Sequence, residues 1–281
     1  MTLLFFVLNL SFLKGDIMAR KIVITSGKGG VGKTTVCANL GYALAQKQLK
    51  VLLVDADIGL NNLDVVLGVE NKIVYDLMDI VSGRCRPKQA LVQDFFAPNL
   101  YVLPSNRTYC SLDLDGEGIK EILNQFDDYF DYILIDCPAG IESGFLRAIK
   151  CADESIVVTT PHLSAIRDAD KVVSILQTYG LSIYGTIVNR ARGDLIIDGE
   201  MLDIDSIAKY LKIEVVGVIP DDDHISYQLL SGGELKRKAE SYLAFNYVVE
   251  KLHNGENKIY DCTRKYKGVI GEIKRRIKRW V

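Results

Sequence analysis

The densest chemistry in the chain lies in fourteen residues, Ile22-Val-Ile-Thr-Ser-Gly27-Lys28-Gly29-Gly30-Val31-Gly32-Lys33-Thr34-Thr35. From Gly27 the spacing is G-x-x-x-x-G-K-T, that of a phosphate-binding loop. Its glycines let successive backbone N–H groups turn inward on an anion, and the helix that follows adds the partial positive charge of its N-terminus. Lys33 can reach the β- and γ-phosphates of a nucleotide, and the Thr34 hydroxyl can ligate Mg²⁺. Lys28, a second lysine inside the loop, is the less usual feature.

Two sets of carboxylates accompany the loop. In Val51-Leu-Leu-Val-Asp55-Ala-Asp57-Ile-Gly-Leu-Asn-Asn62-Leu-Asp64, Asp55 and Asp57 end an apolar strand, where ligands bind in open α/β sheets. Asp57 is the candidate to orient or deprotonate the attacking water, and Asp55 is placed behind a Mg²⁺ ion. Asn62 joins the candidate catalytic residues. In Tyr132-Ile-Leu-Ile-Asp136-Cys-Pro-Ala-Gly140, the strand-terminal Asp136 is the arrangement that holds the Mg²⁺ water shell. Gly140 can bring a backbone N–H to the γ-phosphate, which makes 138–142 a nucleotide-sensing segment. Cys137 stands where transporter and helicase engines carry a catalytic glutamate. Leu230-Ser-Gly-Gly-Glu234 imitates a transporter signature, but its required partners are absent, so it reads as coincidence.

The elements that must position these residues follow from hydropathy. Short Val/Ile-rich runs alternate with helical patterns, the signal of a parallel sheet covered on both faces. Strands are expected near 21–26, 50–55, 100–103, 131–135, 155–160, 183–188 and 214–219. Helices are expected near 33–47, 73–82, 117–128, 142–151, 164–179, 200–211, 238–252 and 269–281. The fold class is α/β, a doubly wound, mostly parallel sheet of seven to eight strands flanked by helices, with a C-terminal amphipathic helix.

A chain of 281 residues can hold one such domain. The expected division is a dispensable extension over 1–17, an ATPase-sized domain over 18–252, a linker over 253–268 and a terminal helix over 269–281. Leu3–Leu13 is too short to span a bilayer and lacks the flanks of a secretory signal. The six cysteines show no paired spacing and read as free thiols.

Charge is unevenly placed. Residues 264–281 hold eight Lys/Arg against one acid, a net +7, while the whole chain is −2, which leaves −9 for the body. On a helix, Val269, Ile270, Ile273, Ile277, Trp280 and Val281 fall within an arc of about 120°, with the cations on the remainder. A basic amphipathic helix ending in Trp is the pattern of an in-plane anchor for an anionic membrane surface. An acidic body with its positive charge on such a tail argues against a generic nucleic-acid binder, and no specific nucleic acid is expected.

Lys28-Gly-Gly-Val-Gly-Lys-Thr-Thr35, with Asp55-Ala-Asp57 and Asp136-Cys-Pro-Ala-Gly140, resembles the deviant Walker-A ATPases, the ParA/MinD group. The MinD-type stretches are Asp57–Asp64, Pro138-Ala-Gly-Ile-Glu142, Ser164-Ala-Ile-Arg-Asp-Ala-Asp170 and Val216-Gly-Val-Ile-Pro-Asp221. The resemblance implies a Mg²⁺-dependent ATP hydrolase forming a homodimer with ATP sandwiched between its subunits. Lys28 then acts across the interface on the partner's phosphates. Asn189, Pro220 and Asp221 are implied for adenine, and Arg167, Asp168 and Asp170 for partner docking. It further implies a MinC-like division inhibitor, a MinE-like regulator and placement of a cell or plastid division septum. The place of action would be cytoplasm or plastid stroma, peripheral on the inner face of the membrane. The chain departs from the family pattern at His162, at Lys236–Glu240 and in its N-terminal extension. The competing readings are a ParA-like DNA-partitioning ATPase, an iron–sulfur reductase component and a small-molecule kinase.

Overall fold

The computed structural model describes residues 18–58, 62–105 and 115–278, with the side chains of 276–278 left undescribed. The extension over 1–17, Cys110, Trp280 and Val281 lie outside the described residues, and Ile277 is placed by its backbone alone. In chain order, β1 (Arg20–Thr25) leads into α1 (Lys33–Gln46), and β2 (Val51–Asp55) into α2 (Leu63–Leu67) and α3 (Leu77–Val81). Then come β3 (Val92–Gln93), β4 (Leu100–Leu103), α4 (Gly116–Asn124), β5 (Tyr132–Asp136) and α5 (Ser143–Lys150). The second half holds β6 (Glu154–Thr159), α6 (Leu163–Thr178), β7 (Ser182–Ala191), α7 (Gly193–Ile197), α8 (Ile204–Leu211) and β8 (Val215–Pro220). It ends with α9 (Asp223–Ser231), α10 (Glu240–Asn254) and α11 (Gly268–Lys278).

The eight strands form one sheet in the order β3-β4-β2-β5-β1-β6-β7-β8. All neighbours are parallel except β3, which runs antiparallel to β4. Every residue of β2 and β5 is buried, because helices cover both faces and each face carries its own apolar core. The continuous Val/Ile/Leu runs are therefore what a two-faced sheet demands. β3 has only two residues and no run to announce it.

Three helices are not anticipated by periodicity. α2 and α7 are five residues each, too short to show a stripe. α9 buries only Gln228 and leaves Leu230 87% exposed, so its apolar residues do not line one face. Its end explains the Ser-Gly-Gly stretch. Gly232 and Gly233 both have positive φ, 68° and 83°, and stop the helix, while the missing side chain of Gly233 admits the Phe96 ring.

One buried charge fixes the sheet to its cover. Lys21, 1% exposed on β1, pairs with Asp127 just beyond α4. Lys21→Ala leaves that carboxylate without its partner and should lower the unfolding free energy by about 3–5 kcal/mol. Urea denaturation checks this, and a loss below about 1 kcal/mol would show that the pair is not coupled.

The segment between α10 and α11, expected as a linker, lies against the domain. It buries Cys262 and Tyr266 to 4% and 6% exposure. α11 is held by its polar side: Arg275 pairs with Asp198 at 2.9 Å, and Gly271 abuts the Tyr266 backbone. Among its described side chains the apolar ones face away, with Val269 79%, Ile270 73% and Ile273 54% exposed. Among the described residues no helix is long and apolar enough to cross a membrane.

Candidate active site

The glycine-rich loop joins β1 to α1 at the carboxyl edge of the sheet. Gly30 and Gly32 take left-handed φ of 79° and 93°, and Gly32 caps α1. A loop of this kind at a helix N-terminus leaves backbone N–H groups free to meet an anion. Ser26 Oγ donates to the Lys28 carbonyl at 2.9 Å, which shapes the loop from behind. Gly27 is needed for another reason: a Cβ there would lie 2.1 Å from the Asp168 carbonyl oxygen of α6. Val31 and Lys33 are buried, Thr34 and Thr35 half-buried, and Lys28, Gly29 and Gly30 exposed. Lys33 therefore lies inside the loop, whereas Lys28 lies exposed at its rim.

Strand register brings two of the carboxylates together, and Asp57 follows two residues after Asp55. Asp55 and Asp136 end adjacent strands and pair directly. Burial, then the neighbouring Asp136, pushes the Asp55 carboxyl up to about 7. Burial likewise raises Asp136 to about 6, against the Thr34 hydroxyl that hydrogen-bonds it and the Lys33 charge. Burial raises Asp57, and Lys33 opposes it. Two buried acids this close call for a cation.

The donor set fits Mg²⁺. Asp136 Oδ1 is buried with no hydrogen-bond partner, and Thr34 stands beside the same carboxylate. Asp55 is used differently: its Oδ1 accepts from the Asp57 N–H at 2.9 Å and its Oδ2 from the Leu63 N–H at 3.2 Å. Both oxygens thus pin the segment that carries Asp57 and Asn62. Asn62 is exposed and caps α2, and Gly140 has φ of 88° with open space where a side chain would be.

Asn189 at the end of β7 donates its Nδ2 to the Val31 carbonyl at 2.8 Å, so it clamps the phosphate loop. Pro220 and Asp221 lie on the neighbouring strand end, where the Asp221 N–H donates to Ala191 at 3.1 Å. On α6, Arg167 is exposed and Asp168 and Asp170 half-buried, and the backbone of Asp168 touches Gly27. Sequence reading missed Ser105, whose Oγ donates to the Asp57 carbonyl at 3.0 Å. Nothing in its own neighbourhood marks it, because strand order alone brings it beside Asp57. Among the described residues no three His, Cys, Asp or Glu cluster as a metal group, and the five described cysteines are free.

Residues 22–235 match the CobQ/CobB/MinD/ParA nucleotide binding domain family. The septum site-determining protein MinD of Bacillus subtilis is 43% identical, over 92% of this chain and 97% of its own length. That of Synechocystis is 40% identical over 92% and 99%. In the MinC:MinD cell division protein complex of Aquifex aeolicus, the matching chain has a TM-score of 0.78 at 41% identity, covering 85% of this chain and 98% of that one. The MinD of Pyrococcus horikoshii complexed with Mg-ADP gives 0.75 at 33% identity over 84% and 96%. A ParA family ATPase of Chlorobium tepidum is more distant, 0.66 at 25% identity over 90% and 98%. With the phosphate loop, the paired strand-end aspartates and the eight-stranded sheet all in place, the chain belongs to the MinD family of septum site-determining proteins within the CobQ/CobB/MinD/ParA nucleotide-binding class.

Proposed function

We propose that this chain is a Mg²⁺-dependent ATPase whose nucleotide state governs its residence on a membrane, and that it places a division septum by recruiting and activating a MinC-like inhibitor. The observation that carries this reading is a pairing within one protomer. The phosphate loop presents Lys28 outward, and the terminal helix presents Val269, Ile270 and Ile273 outward. Both groups face away from the protomer, towards whatever it meets.

The residues divide the work. Gly27–Thr35 enclose the phosphates, and Lys33 fixes the β- and γ-groups against displacement. Thr34 and Asp136 would hold Mg²⁺, which neutralises charge on the phosphate oxygens when bound. Asp57, held by Asp55 and Ser105 through its backbone, orients the attacking water and draws its proton. Gly140 offers a backbone N–H to the γ-phosphate. Lys28 of each subunit reaches the other's phosphates, where a point charge stabilises the charge that develops on the transferring group. Asn189, Pro220 and Asp221 border the base. Arg167, Asp168 and Asp170 form the docking face for the inhibitor and a MinE-like regulator, and Asp168 lies against Gly27, so docking and the loop share a wall.

Residues 18–252 form the ATPase domain and 269–281 the anchor. Each basic residue near an anionic leaflet contributes on the order of 1 kcal/mol, and partial burial of the apolar stripe a few more. A single helix therefore binds reversibly. Two helices joined by an ATP-bound dimer raise avidity by about 10²–10⁴. The place of action is the cytoplasm or plastid stroma, on the inner face of the membrane. Sedimentation with anionic vesicles tests the proposal. The full chain should pellet with ATP, pellet poorly with ADP, and stay in solution once 269–281 are deleted. Equal pelleting in all three overturns it.

A further inference from the structure

We propose that the segment leading to the terminal helix is the outer support of the base subsite, with Cys262 and Tyr266 as positioning residues for the nucleotide's base. The proposal rests on the ATP reading above and deepens it. Arg190, a non-glycine residue, is held at φ 54° between Asn189 and Ala191. Such a conformation is unfavourable for a residue with a Cβ and persists only where the surroundings enforce it. From inside, Asn189 is tied to the Val31 carbonyl at 2.8 Å. From the next strand, the Asp221 N–H holds Ala191 at 3.1 Å. The third restraint comes from outside. Gly193 seats directly on the Cys262 carbonyl, so close that a Cβ would lie 2.0 Å from its oxygen.

Tyr266 completes the wall. It is 6% exposed and shares a small crevice with Ala191, Gly193, Pro220 and Asp221, the two strand ends that border the base. The segment is fastened there, since Lys265 pairs with Glu240 on the first turn of α10 at 2.6 Å. That turn is in turn held to the end of β8, because Asp222 accepts from the Ser241 N–H at 2.9 Å and its Oγ at 2.8 Å. A passive tether would leave Cys262 and Tyr266 in solvent. Here both are buried against the residues at and beyond the ends of β7 and β8, Gly193 and Asp221 among them. Removing Tyr266 unseats those residues, while Asn189, within β7, keeps its hold on Val31 and Gly27–Thr35 keeps its own contacts.

The loss should therefore depend on the base, and full-length protein can be tested with Mg²⁺ and two probes, ATP and inorganic tripolyphosphate. Tyr266→Ala should weaken ATP binding about tenfold and leave tripolyphosphate binding unchanged, with KM raised and kcat retained at saturating ATP. Tyr266→Phe should restore ATP binding. In the unmutated protein, ATP should slow amide exchange over 260–267 and tripolyphosphate should not. Tyr266→Ala binding ATP like wild type, or losing both probes equally, overturns the proposal, as does exchange over 260–267 indifferent to ATP. A wild-type chain that binds neither probe sinks the nucleotide reading itself.

Discussion

Lys28→Ala is expected to bind ATP within a few-fold of wild type and to lose stimulated hydrolysis by about 10³-fold or more. The separation follows from where the two lysines sit. Lys33 is 8% exposed and lies inside the protomer's own cradle, where it also bears on Asp57 and Asp136. Lys28 is exposed at the rim, where the proposed dimer would bring it to the phosphates of the other subunit. Nucleotide titration and steady-state turnover, measured with lipid and the MinE-like regulator present, distinguish the two roles. Stimulated turnover at the wild-type rate would mean that Lys28 is a solvated loop lysine. Lys33→Ala should fail earlier, at nucleotide binding.

The second large effect belongs to Gly27. A methyl group there would lie 2.1 Å from the Asp168 carbonyl oxygen and 2.2 Å from its carbon, with no flexible side chain to move aside. The phosphate loop and α6 must separate, at a cost of about 1–3 kcal/mol or more. Because α6 carries the proposed docking face, Gly27→Ala should lower the melting temperature, weaken ATP and displace Arg167 and Asp170 together. Gly29→Ala is the matched control. Its nearest neighbour would be Ala139 at 3.7 Å, ordinary contact, so its melting temperature should match wild type. Equal melting temperatures for the two variants would refute the steric account of Gly27.

Much of this architecture was readable before the structure. β1, β2, β4, β5, β6, β7 and β8 all announce themselves as apolar runs rich in Val, Ile and Leu, because helices cover both sheet faces. The phosphate loop and the strand-end aspartates are local in sequence, so their spacing carries their geometry. What could not be read is assembled across strands. Ser105 reaches Asp57 only because β4 lies beside β2, and Asn189 reaches Val31 only because of where β7 falls in the sheet order. α9 escaped because it buries a glutamine and exposes Leu230. Residues 255–267 escaped for a related reason. Their few apolar groups are inserted singly, and a periodicity argument needs a row.

The posture of α11 has a thermodynamic consequence. An amphipathic anchor that is a random coil in solution must fold as it enters the bilayer, and the ordering entropy of each residue, about 1–2 kcal/mol, opposes binding. Here Arg275 on Asp198 and Gly271 on the Tyr266 backbone already hold the first turns as a helix with the greasy side outward. That part of the entropy loss occurs when the protein folds, so the proposed insertion would need no folding step of those turns. The same preorganisation leaves three aliphatic side chains wet whenever no lipid is present. Concentrated, lipid-free protein should accordingly behave as a mild surfactant.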